Sequence, residues 1–161
     1  MKPTCISLDL DNTLSYFKNR GTVIIDEAAR LGIPRDVVMK TYLQLRETIG
    51  FSTQNFRSAL ENRGFSFDGD MLEKRLTKFL EAGLTLYVDA QRLRRTQKTK
   101  SGIPLVIVTA GDKKFQERKI EILGLHVPAF IVKPSDGKVE PLRALLAQFG
   151  SPIWHIDDRT H

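Results

Sequence analysis

Apolar residues in this chain gather into four short runs, at positions 5–10, 104–109, 129–132 and 152–156. Each is too short for an isolated helix, and each is followed by polar or turn-forming residues. Runs without polar alternation suit strands buried on both faces, as in a parallel sheet. Between the later runs the period becomes helical. Asp112 is placed to N-cap a helix reaching Leu123, with Phe115, Lys119 and Ile122 at helical spacing and Gly124 as the stop. Leu142, Leu145, Leu146 and Phe149 form a second stripe, closed by Gly150. From the second run onward the order is strand, helix, strand, helix, strand, which is the order of an α/β doubly wound sheet.

Positions 16–86 follow a different pattern, with helical stripes and little strand character. Val38, Tyr42, Leu45 and Ile49 fall at helical steps after Pro34. Ser52 is placed to cap a helix carrying Phe56, Ala59 and Leu60 and stopping near Gly64. Leu72, Leu76, Phe79 and Leu80 mark a third helix, ended by Gly83. Roughly seventy residues between neighbouring strands far exceed an ordinary crossover. The pattern therefore predicts a doubly wound α/β core at 1–15 and 87–161 with a small helical domain inserted at 16–86.

Composition narrows the classes. With 161 residues, 41% of them hydrophobic, the chain suits one domain or a compact core with an insertion. Cys5 is the only cysteine, so no internal disulfide forms, and its apolar surroundings predict a buried thiol in a reducing cytoplasm. No stretch is apolar enough for a membrane span, and no signal-peptide pattern opens the chain, so no membrane partner is expected. Part of the net charge of +6 sits at Arg92, Arg94, Arg95, Lys98 and Lys100. No aromatic residues interleave there as base-stacking platforms would require, which favours a solvated helix face over a nucleic-acid patch.

The residues with chemistry to offer sit where the predicted strands run out. These are Asp9 and Asp11 after the first run, Thr109-Ala110-Gly111 after the second, Lys138 opening the helix after the third, and Asp157-Asp158 after the fourth. The carboxyl ends of parallel strands form the ligand crevice of an open α/β sheet. Four carboxylates in one crevice repel unless a cation joins them, and Mg²⁺ suits carboxylates plus phosphate oxygens. Lys138 can balance the remaining charge. Thr109 and the N–H groups of Ala110 and Gly111 are candidate phosphate donors. One carboxylate can attack phosphorus and the other can handle the protons.

The stretch Ile6-Ser7-Leu8-Asp9-Leu10-Asp11-Asn12-Thr13-Leu14 resembles the first motif, hhhhDxDxT, of the haloacid dehalogenase (HAD) superfamily. Ile107-Val108-Thr109-Ala110-Gly111-Asp112 resembles its second motif, Lys138-Val139-Glu140-Pro141 the lysine-bearing third, and Ile156-Asp157-Asp158 the acidic fourth. The segment from Lys119 to Leu125 is similar to the helix that often follows motif two. The resemblance implies a Rossmann-like core with a mobile cap inserted after the first motif, the cap closing over the substrate and setting specificity. It implies Asp9 as nucleophile and Asp11 as general acid/base. Asp9, the main-chain carbonyl of Asp11 and Asp158 would hold Mg²⁺, with Asp157 ligating directly or through water, and Thr109 and Lys138 would hold the phosphoryl group. A carboxylate at Asp11 favours phosphatase or phosphomutase chemistry over carbon–halogen cleavage.

Lys133-Pro134 also fits the third motif, although Lys138 better matches the helix start. The chain ends soon after Asp158, where the resemblance implies a further helix and strand. Either the core is C-terminally short or another chain covers the exposed sheet edge, which makes self-association an option. The leading expectation is Mg²⁺-dependent hydrolysis of a small phosphomonoester through an aspartyl-phosphate. Two alternatives remain: a phosphatase acting on a phosphoprotein or nucleic-acid end, and a non-hydrolytic phosphate- and metal-binding or phospho-carrier module. Phe51, Gln54, Asn55 and Arg57 are candidates for the cap face over the crevice, with helical-core packing or solvent exposure the default for each. His126, His155 and His161 fall in no metal-ligand spacing, His155 is expected to be structural, and Trp154 is expected to pack.

Overall fold

The computed structural model describes residues 1–18 and 20–158. Each of the four apolar runs forms a strand: β1 (Cys5–Leu8), β4 (Leu105–Ala110), β5 (Ala129–Val132) and β6 (Ile153–Ile156). They make one parallel sheet in the order β5-β4-β1-β6. Two further strands, β2 (Ser15–Phe17) and β3 (Leu84–Leu86), pair antiparallel. Between them lie four helices, α1 (Arg20–Ala29), α2 (Arg35–Glu47), α3 (Thr53–Glu61) and α4 (Gly69–Gly83). The chain thus enters and leaves the helical insertion through a two-stranded neck. Two core helices complete the fold, α5 (Lys113–Ile122) and α6 (Val139–Phe149).

Side-chain alternation divides the core between the two faces of the sheet. Leu105 and Ile107 join Leu8, Leu10, Leu123 and Leu125 on the α5 side. Val106 and Val108 join Cys5 and Leu145 on the α6 side. Burial of Cys5 pushes its thiol pKa up, consistent with an inert core thiol. The insertion has its own core, including Ile24, Val38, Leu45, Phe56, Leu60, Leu72 and Leu76. Buried Glu27 is paired by Arg30 and by Arg75 at 3.4 Å, tying α1 to α4.

Helix starts follow local chemistry. The Ser52 side chain accepts from the Asn55 N–H, Asp68 from Met71 and Asp112 from Phe115, each satisfying an amide that the helix leaves unpaired. Pro34 precedes α2 as expected.

Three expectations need correction. Only β1 and β4 are largely buried, because β5 and β6 are the sheet edges. Trp154 does not pack: it lies on the outermost strand and is 51% exposed, beside Ile156 at 47%. The arginines Arg92, Arg94 and Arg95 lie on a 3-10 turn, Asp89–Arg95, rather than an α-helical face, and Arg94 Nε donates to the Leu123 carbonyl. His161 lies outside the described residues. Among those described, no helix is long and apolar enough to cross a membrane.

Candidate active site

The sheet places Asp9 one residue beyond β1, where its N–H donates to the Ile156 carbonyl at 2.9 Å. The chain then turns sharply. The Leu14 and Ser15 N–H groups both donate to the Leu10 carbonyl, and Asn12 adopts a left-handed φ of 60°. Asparagine tolerates that conformation better than most residues. The turn carries Asp11 to the wall of the same crevice instead of continuing an extended strand.

A cavity of about 590 Å³ opens over these strand ends. The catalytic, phosphate-binding and metal residues expected from the sequence all line it: Asp9, Asp11, Thr109, Ala110, Gly111, Lys138, Asp157 and Asp158. Lys138, at the start of α6, lies 2.9 Å from Asp9 Oδ1 and 2.6 Å from Asp157 Oδ2. Lys133 precedes a short 3-10 turn, Pro134–Asp136, and does not line the cavity. Burial pushes the Asp9 carboxyl above its usual pKa range. Lys138, through charge and hydrogen bond, and the Leu10 N–H draw it back, while Asp157 opposes them.

Carboxylate oxygens of Asp9, Asp157 and Asp158 all lie within 4.8 Å of one another. An all-oxygen set of this kind can hold a hard divalent cation. Asp158 is oriented by a 3.2 Å hydrogen bond from Asn12 Nδ2. Buried Thr109 Oγ1 has no hydrogen-bond partner among the described residues and borders the cavity, as a hydroxyl reserved for a ligand oxygen would.

Gly111 differs from the expected donor role. Its N–H is already given to the Val132 carbonyl at 2.8 Å, because the β4–β5 ladder runs one residue further than the strand itself. Its lack of a side chain instead makes room for Gln116: a Cβ at Gly111 would stand 2.5 Å from Gln116 Nε2.

Several residues were not legible as site residues. Lys119 Nζ contacts both Asp11 oxygens, at 2.7 and 2.6 Å, and Gln116 Nε2 donates to Asp11 Oδ2 at 3.0 Å. A lysine at an apolar stripe position of α5 was the available signal. His155 is more than a strand filler. Its Nδ1 meets Ser7 Oγ at 2.5 Å, its Nε2 is 3.4 Å from Asp157, and it lines the cavity.

The insertion roofs the cavity with Arg46, Gly50 and Phe51. Asn55 instead bridges the Gly50 carbonyl and Asp112, both at 3.2 Å. Gln54 faces a smaller seam between the insertion and α5. Arg57 points elsewhere, pairing with Glu61, Asp70 and Glu73.

No family profile and no curated protein matches the sequence. Solved structures match it across nearly its whole length. A haloacid dehalogenase-like family hydrolase from Xanthomonas campestris shares 16% identity at a TM-score of 0.58, over 96% of this chain and 74% of its own. A HAD-hydrolase from Bacillus subtilis, bound to magnesium, shares 18% at 0.58, over 98% and 81%. L-2-haloacid dehalogenase from Xanthobacter autotrophicus shares 16% at 0.57, over 96% and 69%. The chain therefore has the fold of the HAD-like hydrolases, a parallel α/β core with a helical region inserted after the first strand.

Proposed function

We propose that this protein is a Mg²⁺-dependent phosphohydrolase of the HAD superfamily, cleaving a small phosphomonoester through an aspartyl-phosphate on Asp9. The observation that carries this reading is the convergence of the Asp9, Asp157 and Asp158 carboxylates within 4.8 Å, with a further carboxylate, Asp11, on the same cavity wall. Cleavage of a carbon–halogen bond has no use for such a cation site, whereas transfer of a dianionic phosphoryl group does.

Asp9, Asp157 and Asp158, with the main-chain carbonyl of Asp11, would hold the ion, and all are oxygen donors as Mg²⁺ prefers. When bound, Mg²⁺ supplies charge neutralisation to the transferring phosphoryl oxygens. The chain's own residues do the rest. Asp9 Oδ attacks phosphorus, and the bond from phosphorus to the ester oxygen breaks. The departing oxygen keeps the electron pair of the broken bond and takes a proton from Asp11. Water then attacks the aspartyl-phosphate, gives a proton to Asp11, and releases Asp9 and inorganic phosphate. Lys138 and the Thr109 hydroxyl steady the phosphoryl oxygens.

The test pairs two substrates. With Mg²⁺, the protein is expected to release 4-nitrophenol from 4-nitrophenyl phosphate and no halide from a 2-haloacid. Asp9→Asn is expected to abolish turnover. Halide release without phosphatase activity would overturn the proposal.

A further inference from the structure

Lys119 is the least expected residue at the cavity. It is 3% exposed and occupies a position of α5 where helical spacing from Phe115 and Ile122 calls for an apolar side chain. A buried ammonium is costly unless it is paired and hydrogen-bonded. Here both oxygens of Asp11 receive it, at 2.7 and 2.6 Å. The rings of Phe17 and Phe115 flank it, their centroids 5.6 and 5.3 Å from Nζ, a distance at which cation–π attraction contributes. Gln116, only 2% exposed, donates a further hydrogen bond to Asp11 and is itself fixed by the Ala110 carbonyl at 2.9 Å.

Resting on the phosphohydrolase reading, we infer that Lys119 is a positioning residue for the second half of the reaction, the attack of water on the aspartyl-phosphate. Asp11 stands at the start of the turn that follows β1, bridged to Ser15 rather than set within a strand of the sheet. Hydrogen bonds from Lys119 to both oxygens hold the Asp11 carboxyl group in one place. A base must lie within hydrogen-bond reach of the proton it removes. In the water step the new bond joins water oxygen to phosphorus, the bond from phosphorus to Asp9 breaks, and the water proton passes to Asp11. The first step places no such demand when the leaving group is a good one, since nitrophenolate departs without a proton.

The experiment is transient kinetics on 4-nitrophenyl phosphate with saturating Mg²⁺. kcat/KM reports formation of the aspartyl-phosphate, and kcat reports its hydrolysis once that step limits. In Lys119→Met, kcat is expected to fall about 100-fold, the lower range for a positioned acid or base, while kcat/KM stays within about threefold by the same reasoning. A burst of one nitrophenol per site should appear, with Asp9 phosphorylated in the quenched protein. Lys119→Arg should recover part of kcat. In an Asp11→Asn background, Lys119→Met should change kcat no further, because it acts only through Asp11. That double variant strands no buried charge, so it also controls for folding.

Where Lys119→Met does not fold, Lys119→Gln keeps an N–H donor without the charge, and the same burst is expected of it. A proportional fall of kcat and kcat/KM without a burst overturns the inference, as does unchanged kcat. A wild-type protein that never turns over the ester overturns the phosphohydrolase reading, and the inference with it.

Discussion

The ammonium of Lys138 lies 2.9 Å from Asp9 Oδ1. It reaches Asp157 at 2.6 Å as well, so one cation joins two carboxylates from different strand ends. All three side chains are less than a fifth exposed, which leaves little water to screen the pair if the cation is lost.

Lys138→Met therefore leaves two partly buried carboxylates facing each other. The metal-free variant is expected to lose about 3 kcal/mol of stability, the usual cost of breaking a buried pair. Mg²⁺ should recover part of that loss by supplying a second source of positive charge. Urea unfolding with and without Mg²⁺ measures both effects, and equal stability of variant and wild type would contradict the role assigned to the pair.

Asp9 is expected to oppose stability in the metal-free protein. Its pKa is raised above the ordinary 3.8, chiefly by burial, so the folded state binds its proton more tightly than the unfolded state does. Stability from this group is then gained as pH falls below its folded pKa and lost as pH rises through it. Above that pKa the full cost remains. Asp9→Asn should accordingly be more stable than wild type at neutral pH and show a flatter dependence of stability on pH just above the ordinary carboxylate range. Unfolding curves collected across that range without metal decide the matter, and a less stable Asn variant at neutral pH would count against it.

Metal binding gives a separate readout. A ligand present at a hundred times its dissociation constant adds about 2.7 kcal/mol to folding stability, and Mg²⁺ should raise the melting temperature of wild type accordingly. Asp158 is the most exposed member of the acidic cluster and takes one hydrogen bond from Asn12. Asp158→Asn should fold as wild type does but lose most of the Mg²⁺-dependent shift, together with turnover. A full shift in that variant would remove Asp158 from the metal site.

Much of this arrangement was written locally. The strands of the sheet are continuous apolar runs, and Ser52 and Asp112 announce their helices because a side-chain oxygen must meet an otherwise unpaired amide. Asp9, Asp11, Lys138, Asp157 and Asp158 were legible because each follows such a run. What escaped was decided by contacts between distant segments. Each strand of the neck is three residues long, too short for a period to register, and gains its identity only when Ser15–Phe17 meets Leu84–Leu86. Which strands lie at the sheet edge depends on the order β5-β4-β1-β6, and so the exposure of Trp154 does too. Lys119 passed as one more residue in a helical stripe because its partner, Asp11, lies 108 positions earlier. Gly111 looked like an anion-binding amide, but the neighbouring strand had already taken its N–H.

The seating of the insertion on the core can be tested at Gly50. This residue has a left-handed φ of 88°, and a Cβ there would stand 2.1 Å from the Asp112 nitrogen and 2.4 Å from the Gly111 carbonyl carbon. Both obstacles are backbone, so neither can rotate away. The same loop places Phe51 over the cavity and carries the Gly50 carbonyl that Asn55 holds. Gly50→Ala combines a strained backbone with this collision, and strain alone costs about 1–3 kcal/mol. The easiest relief is for the loop to lift from Gly111 and Asp112, which would leave the core fold intact while opening the roof of the cavity. KM for a small phosphomonoester should then rise by more than kcat falls, and limited proteolysis should cut the loop between α2 and α3 faster than in wild type. An alanine variant with unchanged KM and unchanged cleavage would show that this contact does not seat the insertion.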